Sequence, residues 1–481
     1  MTSYAAGLLR PRVSFLALAA SIGLVACGGG GSSTPAPSPT PAPSNSLPQF
    51  NSSSAVTVAE NTTGAIYTAS ASDADGDAVS FSIVGGSDAD LFTLSANQLA
   101  FRSAPNFDLF GDSDEDNVYS VTLQASDGRG GRTNLALQVS VTNLREGISV
   151  SRLATGFGND ALVAPKYNSD ALIVARQDGQ LIGVDADNGA TTLYGNLFNA
   201  GETGRVLAII DTALVTLAVL DTDDYGILLR GIDASGRRNA TRGLVARSGS
   251  PAGNPRPTAA VFGNPQNPIY VTLGDPAGDW AQDSTIAYGK LIEVQVDPYC
   301  GASLYTTCIS ARTIGDGIHA PGGAALVAGG ATLFDRGFDR QEEITYFNPA
   351  ARPLDFGWPA YEGSFARIEN PPAQVNGPSI AYNRGEGPKK GTGIIGGVSY
   401  AGPIESLADM LLFGDISGKI FAAPLSFLSD GIIHSGNQFE NRTADFAPDA
   451  GAIDSPRAIL TNRAQKLFIL DADGELFVVS D

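Results

Sequence analysis

Histidine is scarce in this chain: its 481 residues include only two, His319 and His434. Zinc sites and hydrolytic triads depend on histidine, so the sequence gives no support to a zinc enzyme or a hydrolase. A glycine-rich phosphate loop between a strand and a helix is also missing. His434 stands in a polar turn and is predicted to lie at the surface.

Positive charge is scarce as well, because 30 basic residues face 50 acidic ones and give a formal charge of −20. Such a chain repels nucleic acid and attracts cations, so we expect metal binding and no nucleic-acid partner. Regular helical periodicity is lacking too. The 57 glycines and 28 prolines instead indicate an all-β protein rich in turns.

The N-terminal hydrophobic run, residues 13–26, is too short for an ordinary membrane span. It ends in Leu24-Val25-Ala26-Cys27, the pattern of a bacterial lipoprotein signal. We predict a signal peptide over residues 1–27 with Cys27 as the lipidated residue, and a plain signal peptide is the alternative. Gly28 directly after the cysteine favours delivery to the outer membrane.

The other two cysteines, Cys300 and Cys308, are predicted to form a disulfide in an exported chain. Residues 28–47 are dominated by glycine, serine and proline. A segment with so little to bury is predicted to be a disordered tether.

Period-two alternation of polar and apolar residues marks residues 48–146. The clearest runs are 55–59, 79–83, 118–123 and 135–141. Short alternating strands separated by turns predict a small β-sandwich with an Ig-like arrangement.

Five short motifs occur in order in this sandwich: Pro48-Gln49-Phe50, Ala59-Glu60-Asn61, Ala71-Ser72-Asp73-Ala74-Asp75-Gly76-Asp77, Asn106-Phe107-Asp108 and Gln124-Ala125-Ser126-Asp127-Gly128. The series resembles a bacterial cadherin repeat, which binds calcium at its ends. The resemblance assigns calcium ligands to Glu60, Asp73, Asp75, Asp108 and Asp127, and calcium prefers such oxygen ligands. An EF-hand is excluded because Val84 stands at its twelfth position. Turn-forming aspartates without a metal are the alternative.

A second series of motifs lies in residues 147–481, where short apolar runs end in glycine, proline and aspartate. Its centre is Asp355-Phe356-Gly357-Trp358-Pro359-Ala360-Tyr361-Glu362-Gly363, with Glu342-Glu343-Ile344 before it and residues 395–400 and 412–420 after it. The series resembles the glucose/sorbosone dehydrogenase family, a six-bladed β-propeller whose active members use calcium and pyrroloquinoline quinone (PQQ) to oxidise sugars. We therefore expect a six-bladed propeller whose two ends share a blade and close the ring.

The positions that carry the family's chemistry are substituted in this chain. Arg256 stands where the family has its histidine base, and arginine cannot accept a proton. In Gly317-Ile318-His319-Ala320-Pro321 a histidine replaces the family's cofactor-binding arginine. The resemblance leaves Arg256 and Lys419 to bind a cofactor, His319 as a substitute base, and Glu343 as a calcium ligand.

Two hypotheses combine these observations. The first is an envelope-anchored, calcium-binding adhesion or ligand-binding lipoprotein whose propeller is catalytically degenerate and whose partner is a glycan or a cell-surface protein. The alternative is a PQQ-dependent, calcium-assisted sugar dehydrogenase with a rearranged active site. Both place the chain at the outer membrane, attached through its N-terminal lipid.

Overall fold

Two β-domains make up the part of the chain that the computed structural model describes, residues 44–245, 257–263, 268–297, 308–373 and 376–481. These residues contain no α-helix, and their short 3-10 turns are Ala89–Leu91, Arg145–Gly147, Glu405–Leu407 and Leu425–Leu428. Within the same residues, no helix has the length and apolar character needed to cross a membrane. The all-β prediction is confirmed.

The first domain is a sandwich of two main sheets. One sheet has the strand order Ala55–Ala59, Arg132–Thr142, Val118–Ser126 and Ser80–Gly85, and the other has the order Ala65–Thr68, Gln98–Phe101 and Phe92–Ser95. A short pair, Gln49–Phe50 with Ala71–Ser72, lies beside them. Along Val118–Ser126 every second residue is fully buried, as the period-two alternation predicted.

The second domain is a propeller of six four-stranded antiparallel sheets, counted over the described residues. We number these sheets as blades 1 to 6. From the channel outwards, blade 1 contains Leu162–Pro165, Leu172–Ala175, Gln180–Val184 and Thr191–Asn196; blade 2 contains Gly204–Asp211, Thr216–Thr222, Gly226–Ile232 and Arg238–Val245; and blade 3 contains Ala259–Gly263, Ile269–Leu273, Lys290–Asp297 and Cys308–Gly315.

Blades 4 to 6 follow the same plan. Blade 4 contains Pro321–Val327, Gly330–Asp335, Gln341–Phe347 and Ile380–Asn383; blade 5 contains Ile394–Ser399, Met410–Asp415, Ile420–Pro424 and Glu440–Asn441; and blade 6 contains Pro456–Thr461, Leu467–Asp471, Leu476–Ser480 and Ser149–Ala154. A small hairpin, Tyr361–Glu362 with Phe365–Ala366, stands between the last two strands of blade 4.

Blade 6 closes the ring with strands from both ends of the propeller. Its outer strand Ser149–Ala154 pairs with Leu476–Ser480 near the C-terminus, so that Ser149 lies opposite Ser480. The predicted closure is confirmed. Because of this pairing, the strand Ser149–Ala154 is hydrogen-bonded within blade 6 and is not left unpaired at an edge of the propeller.

The blades pack on one another through strands that are apolar on both faces. Thr216–Thr222 and Ile269–Leu273 are buried along their whole length. Leu217 of blade 2 and Val271 of blade 3 belong to one core between the two blades. A strand covered on both sides needs a continuous apolar run rather than an alternating one.

The sandwich and the propeller belong to one compact unit, Ser46–Asp481. The predicted boundary at residues 146 and 147 lies in the connection between Arg132–Thr142 and Ser149–Ala154. Across the junction, Lys389 Nζ donates to the carbonyl of Phe110 at 2.9 Å. Charged groups of the propeller therefore contact the sandwich directly.

Candidate ligand and metal sites

Two acidic side chains meet at one end of blade 4. Asp335 is the last residue of Gly330–Asp335 and lies opposite Glu343 in the neighbouring strand. Both are buried, with exposed fractions of 2% and 8%. Burial, and then the repulsion from Asp335, raise the pKa of Glu343 well above its ordinary range. A proton or a cation is needed to keep two such carboxylates together.

Asp335 also positions His319 in the connection between blades 3 and 4. Its carboxylate accepts the backbone N–H groups of His319 at 2.8 Å and of Ala320 at 2.5 Å. The Nδ1 atom of His319 lies 2.5 Å from the carbonyl oxygen of Arg336. A carbonyl only accepts, so Nδ1 carries a proton and donates to this bond. Nε2 is buried and has no partner among the described residues.

Aromatic rings cover His319. The His319 ring lies 4.1 Å from the ring of Trp358, which is 3% exposed. Trp358 Nε1 donates to the carbonyl of Asp275 at 2.9 Å, and the Phe338 ring lies 5.9 Å from Trp358 and 6.0 Å from His319. The three rings form a triangular cluster in which His319 is only 6% exposed.

Glu362 contributes a third buried carboxylate near the predicted calcium ligand Glu343. The charge of Glu362 helps to raise the pKa of Glu343, after burial and Asp335. Oε2 of Glu362 is buried without a hydrogen bond in the described part of the chain, although Arg367 lies 3.7 Å away. Glu343 itself accepts the N–H of Gly363 at 3.0 Å. Calcium binding by Glu343 stays a prediction.

The inner strands of the blades surround an axial cavity of about 670 Å³. Arg457 reaches this cavity and contacts Asp160 at 2.5 Å. Its Nε atom is buried and unpaired within the described residues. Burial, and then the charge of Arg457, lower the pKa of Arg336. The guanidinium of Arg457 at the wall of the cavity favours an anionic ligand.

Sequence reasoning missed Arg336 and Arg457. Arg336 follows Asp335 directly in the turn after a strand, and Arg457 stands second in the inner strand Pro456–Thr461. The sequence signal that could have identified both arginines is a basic residue next to a strand end that faces the ring axis.

Of the two cations predicted to bind a cofactor, Lys419 lies in the turn between Met410–Asp415 and Ile420–Pro424. Its Nζ lies 3.3 Å from Ser417 Oγ. In a blade this turn and the connection that carries His319 lie at the same end of the ring. Arg256 lies outside the described residues, so its role in binding a cofactor stays a prediction.

Asp73, Asp75 and Asp77 form an acidic group in the sandwich, with ligand atoms within 4.8 Å of one another. Asp73 Oδ1 accepts the backbone N–H of Asp75 at 2.8 Å. The Oδ2 atoms of Asp73 and Asp77 are buried and have no hydrogen-bond partner within the described residues. Free carboxylate oxygens this close together suit Ca²⁺.

Asp127 lies beside this group rather than in it. Its Oδ1 accepts the N–H groups of Arg129 at 2.7 Å and of Gly131 at 2.9 Å. Arg129 in turn forms a salt bridge of 3.0 Å with Asp77. The carboxylate of Asp127 shapes the turn that borders the acidic group.

Sequence reasoning also missed a second acidic group, Asp112, Asp114 and Asp116, although the alternation of aspartates was visible. Asp112 Oδ2 accepts the N–H of Asp116 at 2.7 Å, and Oδ1 accepts that of Asn117 at 3.1 Å. The Asp112 carboxylate accepts a hydrogen bond from the protonated form of Asp114, and this bond raises the pKa of Asp114. These bonds account for the loop without a metal.

Glu60 and Asp108, the remaining predicted ligands of the sandwich, lie apart from both groups and face the propeller. Glu60 accepts two backbone N–H groups at 2.9 and 3.0 Å. Asp108 is 1% exposed and lies 3.5 Å from Nε of Arg442. Burial, and then the nearby Asp445, raise the pKa of Asp108 to about 8.

Arg442 supplies the positive charge at this junction. It is itself 1% exposed, and its guanidinium lies 2.6 Å from Asp445, 2.7 Å from Glu146 and 3.2 Å from Glu440. Burial alone would lower its pKa, but Asp445 and Asp108 raise it. Calcium binding by Glu60 and Asp108 stays a prediction, and Arg442 would compete with the ion.

His434 does not lie at the surface: it is 5% exposed, so that prediction is wrong. Its carbonyl accepts the N–H of Ala381 in blade 4, and its ring stacks on Phe427 at 3.5 Å. This backbone hydrogen bond holds the turn that contains His434 against blade 4. The polar composition of the turn does not predict such a contact.

Two of the three cysteines, Cys27 and Cys300, lie outside the described residues. Cys308 begins the outer strand of blade 3, Cys308–Gly315. Lipidation of Cys27 and the bond between Cys300 and Cys308 stay predictions.

Calcium is expected to bind at Asp73, Asp75 and Asp77, and Asp75→Asn is expected to weaken that binding about tenfold because it removes one of three charges. Isothermal titration of the metal-free chain with Ca²⁺ measures the affinity. Asp187→Asn is the matched control, since Asp187 is 80% exposed and pairs with Lys466. Equal loss in both variants, or none in Asp75→Asn, would contradict the assignment.

Neither the models of known protein families nor the curated proteins gave a match to this sequence. Solved structures similar to the chain include the PQQ-bound aldose sugar dehydrogenase of Streptomyces coelicolor, at 16% identity, a TM-score of 0.47 and coverage of 70% of this chain and 98% of that one. The soluble aldose sugar dehydrogenase of Escherichia coli is 17% identical, with a TM-score of 0.49 and coverage of 69% and 99%.

The PQQ domain of a Coprinopsis cinerea pyranose dehydrogenase is 12% identical, with a TM-score of 0.44 and coverage of 70% and 96%. At such identities and TM-scores the likeness carries no argument about the activity of this chain.

Proposed function

We propose that this chain is a calcium-binding, ligand-binding lipoprotein of the cell envelope whose propeller does not oxidise its ligand. The observation that carries the proposal is the enclosure of His319, which is 6% exposed and lies 4.1 Å from the ring of Trp358. A general base has to reach the hydroxyl that it deprotonates. The Nε2 atom of His319 is buried in this arrangement and does not meet a ligand from solvent.

Three further observations support the proposal. The acidic group of Asp73, Asp75 and Asp77 suits calcium. The pattern Leu24-Val25-Ala26-Cys27 favours an envelope lipoprotein. The excess of acidic residues favours cations as partners. A glycan or a cell-surface protein is the proposed ligand.

A PQQ-dependent sugar dehydrogenase is the second candidate, and the buried Nε of Arg457, which has no hydrogen-bond partner among the described residues, favours it. PQQ is a polycarboxylate that accepts hydride when it is bound. Arg457, which reaches the axial cavity, and Lys419 fit its charge and would hold its carboxylates. His319 is covered, so the set of residues fits binding of the group better than catalysis with it.

Titration of the purified chain with PQQ and excess calcium separates the two candidates. We expect no reduction of an electron-accepting dye with any sugar of an aldose panel, because the base is covered. Saturable micromolar binding with dye reduction would overturn the proposal. In that case His319→Ala should abolish turnover without loss of cofactor absorbance, whereas Arg457→Met should weaken cofactor binding.

A further inference from the structure

A patch at the end of blade 4, beside the rings that cover His319, exposes aromatic residues to solvent. We call it the aromatic ledge and define it by Phe338, Arg340, Phe365, Arg367 and Ile368. Phe338 is 53% exposed, Phe365 is 40% exposed and Ile368 is 50% exposed. Exposed apolar side chains that cluster in this way mark interaction sites.

Hydrogen bonds hold the ledge in a fixed shape. Oε1 of Glu362 accepts three backbone N–H groups, from Asp339 at 2.8 Å, Arg340 at 2.6 Å and Gln341 at 3.2 Å. Gln341 Oε1 accepts both the N–H and the hydroxyl of Ser364 at 3.0 Å. The turn and the hairpin are thereby tied together, so the rings are presented without a large ordering cost on binding.

The exposed ring of Phe338 rests on buried groups. It lies 5.9 Å from Trp358 and 6.0 Å from His319. The guanidinium of Arg367 lies 4.7 Å from the Phe338 ring and 4.3 Å from the Trp358 ring. With these contacts Phe338 is still 53% exposed, so part of its ring is available to a ligand.

The rim of the ledge offers both kinds of hydrogen-bonding group. Arg340 and Asp339 have side chains that are 55% and 60% exposed, and they lie 4.0 Å apart. The guanidinium of Arg340 also lies 5.4 Å from the ring of Phe365. Donors and acceptors therefore stand next to an aromatic face.

A slot of about 260 Å³ adjoins the ledge, and Ile368 belongs to both. Gln282 and Tyr361 are also among its lining residues. The Tyr361 hydroxyl donates to the carbonyl of Pro372 at 2.7 Å, which fixes the wall. A mainly apolar slot with few polar groups has the character of a small-ligand subsite.

We propose that the aromatic ledge binds a neutral carbohydrate chain. Sugar rings stack their C–H faces on Phe338 and Phe365, because an aromatic face is electron-rich and attracts weakly positive hydrogens. Sugar hydroxyls both donate and accept, so they pair with Arg340 and with Asp339 at once. The inference rests on the ligand-binding function proposed above and names the class of ligand.

The charges of the rim favour this occupant over an apolar protein surface. Such a partner would bury Arg340 and Asp339 without hydrogen bonds for all their polar atoms, which is costly. An anionic chain would be repelled by Asp339 and a cationic one by Arg340. A neutral polyhydroxylated chain satisfies both groups.

Titration of the full chain with cellohexaose, maltohexaose and chitohexaose tests the proposal, with calorimetry and tryptophan fluorescence as readouts. We expect at least one of these neutral hexasaccharides to bind and to change the emission of Trp358, which lies beneath Phe338. Phe338→Ala and Phe365→Ala should each weaken that binding about tenfold. Phe338→Tyr keeps the ring and should restore it.

Tyr225→Ala is the matched control, because Tyr225 is 62% exposed but lies at the end of blade 2, and it should bind as the parent does. Absence of binding to all three sugars, or equal binding by Phe338→Ala, overturns the proposal. A change only in sedimentation behaviour in Phe338→Ala would make the ledge a protein contact and also overturn it. None of these outcomes depends on the dye-reduction result. Failure of carbohydrate binding by the aromatic ledge can therefore be distinguished from failure of the proposed function.

Discussion

Arg442→Met is expected to destabilise the chain by about 3–5 kcal/mol, because it leaves buried carboxylates without their cation. Asp445, with an exposed fraction of 0%, and Asp108, at 1%, would lose the guanidinium that lies 2.6 and 3.5 Å from them. Glu146 would lose its contact of 2.7 Å across the domain junction. Methionine is unbranched and has a similar volume, so the loss of charge dominates over any cavity.

Urea unfolding measures this loss, with Arg152→Met as the matched control. Arg152 is 38% exposed and pairs with Glu475 at 2.5 Å, and such a surface pair contributes about 0–1 kcal/mol. A loss in Arg442→Met no larger than the loss in the control would contradict the role assigned to Arg442. Adding Asp445→Asn to Arg442→Met should recover part of the stability, since it removes the buried carboxylate nearest to the lost guanidinium.

Addition of calcium to Arg442→Met gives a further result. If Arg442 excludes calcium from Glu60 and Asp108, the variant should gain a calcium-dependent rise in its melting temperature that the parent chain lacks. A melting temperature that does not respond to calcium would show that these carboxylates do not form a metal site even without the guanidinium.

Lys290→Met is expected to cost about 2–4 kcal/mol, because it removes the donor from buried carbonyl groups. Lys290 has an exposed fraction of 0%. Its Nζ lies 2.5 Å from the carbonyl of Ala281, 3.1 Å from that of Trp280 and 3.1 Å from Oδ1 of Asp316. These bonds hold the long connection between the second and third strands of blade 3 against the ring.

Tryptophan emission reports this change locally, because Trp280 and Trp358 are the two tryptophans of the chain. We expect a red shift in Lys290→Met below the denaturant concentration at which the chain unfolds, as water reaches both rings. Lys466→Met, whose side chain is 44% exposed, should leave the emission unchanged. Identical emission in Lys290→Met and the parent chain would argue against this role of Lys290.

The strands were predictable because their signals lie within a few residues of one another. The alternation along residues 118–123 corresponds to a strand that buries every second side chain. The apolar runs near Leu172 and Ile269 correspond to strands covered on both faces. Closure of the ring followed from the requirement that a propeller leave no free edge strand.

The candidate sites were predictable only in part. Asp73 and Asp75 come together because two residues of one turn bring their carboxylates close, and the sequence shows that spacing. The enclosure of His319 depends on Trp358, which another loop contributes. Sequence reasoning named both residues but did not place one over the other.

By itself, the sequence determined the all-β class, the order of the two domains and the acidic turn at Asp73, since periodicity and turn chemistry act over short distances. Only the tertiary structure decided that Arg442 meets Asp108, that Arg457 reaches the axial cavity and that Phe338 remains exposed. Each of these depends on residues far apart in the chain. Such contacts follow from the packing of whole blades and domains, and no local pattern of residues specifies that packing.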